Sequence, residues 1–180
     1  MRIISGEFKG RRFQAPDTLP VRPTTDAAKE SLFNILGNHL EWDELDVLDL
    51  FAGIGSISLE FVSRGVRQVH AVDSYAGCVK FIQSMAQKFQ MDNLYVFRQD
   101  AFDYLKRSRF SYNLIFADPP YQMENIAEIP NIILNSDCLV NDGFFILEHS
   151  AHYNFEADPR CIEERRYGKV HFSFFRKVEL

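Results

Sequence analysis

The chain has 180 residues, 46% of them hydrophobic and 14% aromatic, which suits one domain with a substantial core. A formal net charge of −5 argues against a generic polyanion binder, because nonspecific nucleic-acid affinity comes mainly from phosphate neutralisation by Lys and Arg. No apolar run approaches the roughly 20 residues that span a bilayer, and the first six residues turn polar too early for a secretory leader. The expected compartment is therefore the cytoplasm, with no membrane association. Cys78, Cys138 and Cys161 are far apart and form no C-x-x-C pair, so neither a disulfide framework nor a structural metal is expected. His149 and His152 follow Glu148, but no second ligand cluster accompanies them.

Charge is unevenly distributed along the chain. Arg2, Lys9, Arg11 and Arg12 stand against Glu7 alone in the first twelve residues, while the acids gather in the middle. A local basic footprint can sit on an acidic whole. Residues 1–25 are turn-rich and basic and read as a short N-terminal appendage; residues 26–180 read as one continuous body without repeats. At their junction, Thr25 or Asp26 can cap a helix whose apolar face is Ala28, Leu32, Phe33 and Leu36.

Beyond that helix, short apolar runs alternate with longer mixed segments, the pattern of parallel strands joined by crossover helices. Strands are expected at 46–51, 68–73, 94–99, 113–117 and 143–148, and helices at 57–64, 75–90, 102–106 and 126–134. The runs 162–167 and 170–177 meet around Gly168 as a hairpin closing one sheet edge. The predicted fold is α/β: a doubly wound, mostly parallel, Rossmann-like sheet of seven strands with a C-terminal antiparallel hairpin.

The first strand runs into Asp49-Leu50-Phe51-Ala52-Gly53-Ile54-Gly55, a turn with two glycines ahead of a helix. Ligands of open α/β sheets bind beyond the carboxyl ends of the strands, and glycine lets the backbone approach them. Asp73 ends the second strand, where a carboxylate can accept both hydroxyls of a ribose. A dinucleotide would favour a third glycine where this chain has Ser58. Asp49 would repel a pyrophosphate yet favour the sulfonium or ammonium end of S-adenosylmethionine. Asp100, before Ala101, is placed either to bond an adenine amino group or to cap a helix. The candidate cofactor residues are thus Asp49, Phe51, Gly53, Gly55, Asp73, Asp100 and Ala101.

Asp118-Pro119-Pro120-Tyr121 after the fourth strand is the most specific motif. A base amino nitrogen is a poor nucleophile, since its lone pair is delocalised into the ring, so catalysis must orient it and stabilise developing positive charge. The Asp118 carboxylate and Pro119 carbonyl can accept hydrogen bonds from such a group. Pro119 and Pro120 hold the turn rigid. Tyr121 offers a stacking face worth about 1–3 kcal/mol per base.

Together these motifs make the chain resemble the class I methyltransferases over about 46–177. It more closely resembles the RsmD-type guanine-N2 methyltransferases of bacterial small-subunit ribosomal RNA. The closer resemblance rests on Arg2-Ile3-Ile4-Ser5-Gly6 with Lys9-Gly10-Arg11-Arg12, on Arg22-Pro23-Thr24-Thr25-Asp26 with Lys29-Glu30-Ser31-Leu32-Phe33-Asn34, and on the glycine turn and the Asp118 motif. It implies methyl transfer from S-adenosyl-L-methionine to N2 of a guanine in 16S ribosomal RNA. The assembling 30S particle would be the substrate and the enzyme a monomer, with Lys9, Arg11, Arg12 and Arg22 on phosphates near the target. Asp73 stands where that family usually has Glu, a shorter reach with the same ribose role. Three other functions compete: an adenine-N6 DNA methyltransferase, a noncatalytic nucleic-acid-binding module on this fold, and a nicotinamide-dependent oxidoreductase.

Overall fold

In the computed structural model, which describes residues 1–21 and 24–178, Thr25 is the cap that starts the first helix. Its hydroxyl accepts the Ala28 N–H at 3.2 Å, satisfying a donor that the first turn leaves without a partner, and α1 runs Asp26–Gly37. Then follow β1 (Asp46–Leu50), α2 (Ser56–Ser63), β2 (Gln68–Asp73), α3 (Ala76–Phe89), β3 (Leu94–Arg98), α4 (Ala101–Arg107) and β4 (Tyr112–Ala117). The chain ends in α5 (Ile129–Leu134), β5 (Leu139–His149), β6 (Cys161–Tyr167) and β7 (Val170–Arg176).

The seven strands form one sheet in the order β3-β2-β1-β4-β5-β7-β6. Strands β1 to β5 are mutually parallel, and β7 runs antiparallel between β5 and β6. Helices cover both faces, as the near-continuous apolar strands require. Leu32 and Phe33 of α1, Phe61 of α2 and Ile82 of α3 pack on one face. Tyr104 and Leu105 of α4 and Ile133 and Leu134 of α5 pack on the other. This is the expected doubly wound sheet with its C-terminal hairpin.

Two elements differ from expectation. Strand β5 starts at Leu139, four residues earlier than the apolar run implies. Its turn-like Asn141-Asp142-Gly143 is absorbed as an irregularity, with Asp142 at φ 59° and a register shift against β4 between Tyr112 and Leu114. Segment 126–134 divides into a 3-10 turn and α5, because Pro130 lacks an N–H and fits only a first helical turn.

The basic N-terminal segment folds back on itself through a bridge between Arg2 and Arg12, and it buries Ile3, Phe8 and Phe13 in the core of the α1–α2 face. Glu60 of α2 fixes it there. Its carboxylate accepts the N–H groups of Ile4 at 2.8 Å and Ser5 at 3.1 Å, and the Arg64 Nε donor at 3.0 Å. Lys29 of α1, as fully buried as Glu60, lies 3.8 Å from that carboxylate and donates to the Arg2 carbonyl at 2.7 Å and the Ser56 hydroxyl at 3.2 Å. Gly6, at φ +84°, presses against α2 so closely that a Cβ would fall 1.7 Å from the Ser63 carbonyl oxygen.

Breaking a buried ion pair strands the remaining charge, which typically costs 3–5 kcal/mol. Glu60→Ala should therefore lose about 3–5 kcal/mol in urea unfolding and free the N-terminal segment to proteolysis. A loss below about 1 kcal/mol, with the segment still protected, would mean that Glu60 does not anchor it.

Candidate active site

The loop after β1 must turn sharply to feed α2. Phe51, Gly53 and Gly55 all adopt positive φ, at 58°, 56° and 76°. The two glycines answer different constraints. A Cβ on Gly55 would lie 2.9 Å from the Ile82 side chain, so that position is needed for close packing of α2 on α3. Around Gly53 the nearest atom to such a Cβ is 3.7 Å away, on Val21, and the space belongs to the cavity.

Asp73, at the end of β2, holds the turn. Its Oδ2 accepts the Gly53 N–H and its Oδ1 the Tyr75 N–H, both at 2.8 Å. A carboxylate has about four acceptor sites, so each oxygen keeps capacity for a ligand hydroxyl. Asp100 caps α4, accepting the Phe102 and Asp103 N–H groups at 2.9 and 3.0 Å through Oδ1 alone, which leaves Oδ2 as an acceptor. Ala101 is buried as the first residue of that helix. Phe51 meets Phe102 edge to face, ring centres 6.2 Å apart, joining the glycine turn to the start of α4 by an apolar contact.

Strand register gathers three carboxylates. Asp49 of β1 pairs with Phe116 of β4, and Ala117 of β4 pairs with Leu147 of β5. Asp118 and Glu148 are the next residues on neighbouring strands. Alternation of side chains puts Asp49, Asp118 and Glu148 on the same face as Phe116 and Ile146, the face covered by α1 and α2. One cavity is lined by Asp49, Phe51, Gly53 and Asp118, with Val21 and Thr24 closing it from the N-terminal segment. The Thr24 hydroxyl donates to Glu148 Oε2 at 3.3 Å, and Ser58 donates to Asp49 Oδ2 at 2.5 Å.

Burying these acids disfavours their charged forms. Asp49 is pushed up to about 7 by burial and by the charges of Asp73 and Glu148, against the opposing Ser58 bond. Glu148 rises to about 7 through burial, opposed by Thr24. Burial, with Glu148 and Asp49 adding to it, holds Asp118 well above the usual carboxylate range.

The Asp118 backbone N–H reaches the Leu50 carbonyl at 3.4 Å, tying the motif to the end of β1. Pro119 is buried, and the Pro120 carbonyl accepts the Met123 N–H at 2.9 Å to close a turn that leaves Tyr121 exposed. This arrangement suits two things at once: a cationic ligand group near Asp49, and an amino group offered to acceptors at Asp118. It does not suit a pyrophosphate. Among the described residues no group of three or more His, Cys, Asp or Glu side chains is placed to hold a metal ion, and no helix is long and apolar enough to cross a membrane.

Lys9, Arg11 and Arg12 are exposed but are not part of the cavity. The Arg11 guanidinium lies over the rings of Phe8, at 4.8 Å, and Phe89, at 5.2 Å. Phe89 ends α3, so Arg11 stands at the C-terminal end of that helix, whereas Gly55 of the glycine turn packs against Ile82 in its middle. Arg22 lies outside the described residues. Sequence reading overlooked Glu148, Thr24 and the Ser58 bond. The available signal was positional, since Glu148 lies at the carboxyl end of its strand, one residue before His149, as Asp73 lies at the end of β2.

A carboxyl raised in the folded state contributes stability that is complete below its unfolded value and lost as pH rises through the folded value. For Asp49 that window runs from its ordinary 3.8 to about 7. Asp49→Asn should make the fall of stability with pH shallower by up to about 1.4 kcal/mol per pH unit in urea titrations, and leave the variant more stable than the parent at alkaline pH. An unchanged slope would mean that Asp49 ionises freely.

Comparison with known proteins places these features in context. The family model described as "Conserved hypothetical protein 95" matches residues 1–176. "Ribosomal RNA small subunit methyltransferase D" of Escherichia coli strain K12 is 30% identical, over 98% of this chain and 90% of its own length. YlbH of Bacillus subtilis strain 168 is 34% identical over 98% and 99% of the two chains. Among solved structures, Escherichia coli yhhF superposes with a TM-score of 0.87 at 24% identity, covering 100% of this chain and 99% of its own.

Proposed function

The chain belongs to the "Conserved hypothetical protein 95" family, and from that premise we propose that it transfers a methyl group from S-adenosylmethionine to the exocyclic N2 of a guanine in 16S ribosomal RNA. The substrate on this reading is the assembling 30S subunit, met in the cytoplasm by a monomeric enzyme. The observation that carries the reading is the opening of Asp118 onto the same cavity as Asp49 and Gly53. Relatives named for methylation of small-subunit ribosomal RNA, in Escherichia coli and Buchnera aphidicola, support the choice of substrate.

When bound, the donor supplies a methyl group activated on a positively charged sulfur. The chain's residues do the remaining work. Asp73 and the free oxygen of Asp100 accept from the ribose hydroxyls and the adenine amino group, while Asp49 compensates positive charge in a site where burial strengthens every electrostatic interaction. Asp118 and the Pro119 carbonyl hold the guanine amino group so that its lone pair faces the methyl carbon. Formation of the N–C bond would break the donor's S–C bond, its electron pair going to sulfur, and the nitrogen, gaining positive charge, would lose its now acidic proton to water. Orientation by the acceptors is then sufficient, and the carboxylate stabilises the charge as it develops. The Tyr121 ring receives a base already single-stranded or extruded from its stack, since duplex RNA hides its base edges. Lys9, Arg11, Arg12 and Arg22 contact phosphates of the surrounding RNA.

Methyl-label incorporation into 30S particles, naked 16S RNA and DNA, read by nucleoside mass spectrometry, tests the reading. The expected product is N2-methylguanine in the RNA; N6-methyladenine in DNA would replace this function by another. Asp118→Ala should lower turnover by at least about 100-fold with donor affinity in calorimetry nearly unchanged. Retained turnover would remove Asp118 from catalysis. Reversing charge at Arg11 and Arg12 to Glu should weaken RNA binding about tenfold or more and leave donor affinity alone. Unaltered RNA methylation in that double variant would exclude the N-terminal segment from the RNA contact.

A further inference from the structure

We propose that Glu148 selects guanine, its carboxylate accepting the ring N1–H of the base whose amino group Asp118 holds. The inference rests on the RNA-methylating reading above and adds to it the residue that discriminates between bases.

Glu148 is 4% exposed, and the Thr24 hydroxyl occupies only its Oε2. Among the described residues no hydrogen bond engages the other oxygen. A carboxylate buried beside two others is costly unless a donor meets it. Asp49 already has Ser58. What remains for Glu148 is a donor supplied by a ligand, arriving where Thr24 and Asp118 line the cavity.

Register fixes how such a donor would arrive. Glu148 and Asp118 follow the paired residues Leu147 and Ala117, so they stand side by side on parallel strands. Neighbouring strands are about 4.8 Å apart. Two acceptors so placed match a ligand edge carrying two adjacent donors. Guanine presents such an edge, with N1–H next to the N2 amino group. Adenine presents a lone pair on the ring nitrogen next to its amino group, and a carboxylate there repels it. Selection of this kind works by penalising the wrong base as well as binding the right one. The upward displacement of Glu148 to about 7 agrees with a carboxylate lacking a donor until the base arrives.

A purely structural Glu148 would do no more than anchor Thr24. Glutamine can still accept the Thr24 hydroxyl, so base selectivity, not activity alone, separates the two roles. The probe is a 30S particle reconstituted with 16S RNA that carries either guanine or 2-aminopurine at the methylated nucleotide. 2-Aminopurine keeps the 2-amino group and replaces N1–H by a lone pair. The parent enzyme should methylate the 2-aminopurine particle at least about 100-fold less efficiently in kcat/KM. Glu148→Gln, whose side-chain amide can donate to that lone pair, should narrow the ratio to within about tenfold at unchanged donor affinity. This partial rescue distinguishes N1 from the 6-oxo group that the analogue also lacks. Comparable rates on both particles with the parent enzyme, which needs no variant to fold, would overturn the assignment, as would a Gln variant that keeps full discrimination. Failure of the guanine particle itself to accept methyl would defeat the RNA reading, and this inference with it.

Discussion

Three carboxylates on one face of the sheet, the buried Asp49 and Glu148 and the half-buried Asp118, set the constraint around which the rest of the molecule is arranged. Each comes from the carboxyl end of a different strand, and the parallel register of β1, β4 and β5 puts them side by side. Burial and their mutual proximity push all three towards their protonated forms. Stability is therefore given up locally for a site that a cation and a pair of N–H donors would complete. The bonds from Ser58 and Thr24 limit that cost without removing it.

The N-terminal segment is part of the same arrangement. Its residues 1–13 are locked to α2 through Glu60 and Lys29, and Lys29 also bonds Ser56, which lines the cavity as the first residue of α2. Val21 and Thr24 then complete the cavity wall. The helix that holds the basic segment in place at one end thus shapes the glycine turn at the other. Backbone N–H groups donating to Glu60, and the buried Lys29–Glu60 pair with its bond to the Arg2 carbonyl, make that attachment.

Much of this was legible in the sequence. Apolar runs alternating with mixed segments gave the strand and helix order, and of the two candidate caps Thr25 and Asp26 it is Thr25 that starts the helix. Gly53, Gly55 and Asp73 pointed to the turn that the structure forms around the cavity, and Asp118 stands on the same cavity. What was hidden depends on tertiary pairing. Ile3, Phe8 and Phe13 follow neither the helical nor the strand period, so their burial could not be inferred from spacing. Asn141-Asp142-Gly143 reads as a turn until β4 is available as a partner. Glu148 looked like the head of a histidine-rich stretch, because only register reveals that it stands beside Asp118.

Occupation of the cluster by a cation should shift its ionisation, and calorimetry can read that shift directly. S-adenosylmethionine is titrated into the protein near neutral pH in buffers of different ionisation enthalpy. Positive charge beside Asp49, which titrates at about 7, should expel roughly half a proton per donor bound, and Asp49→Asn should abolish most of that release. Tight binding with no proton release from the parent protein would mean that the carboxylates are not the groups that receive the donor.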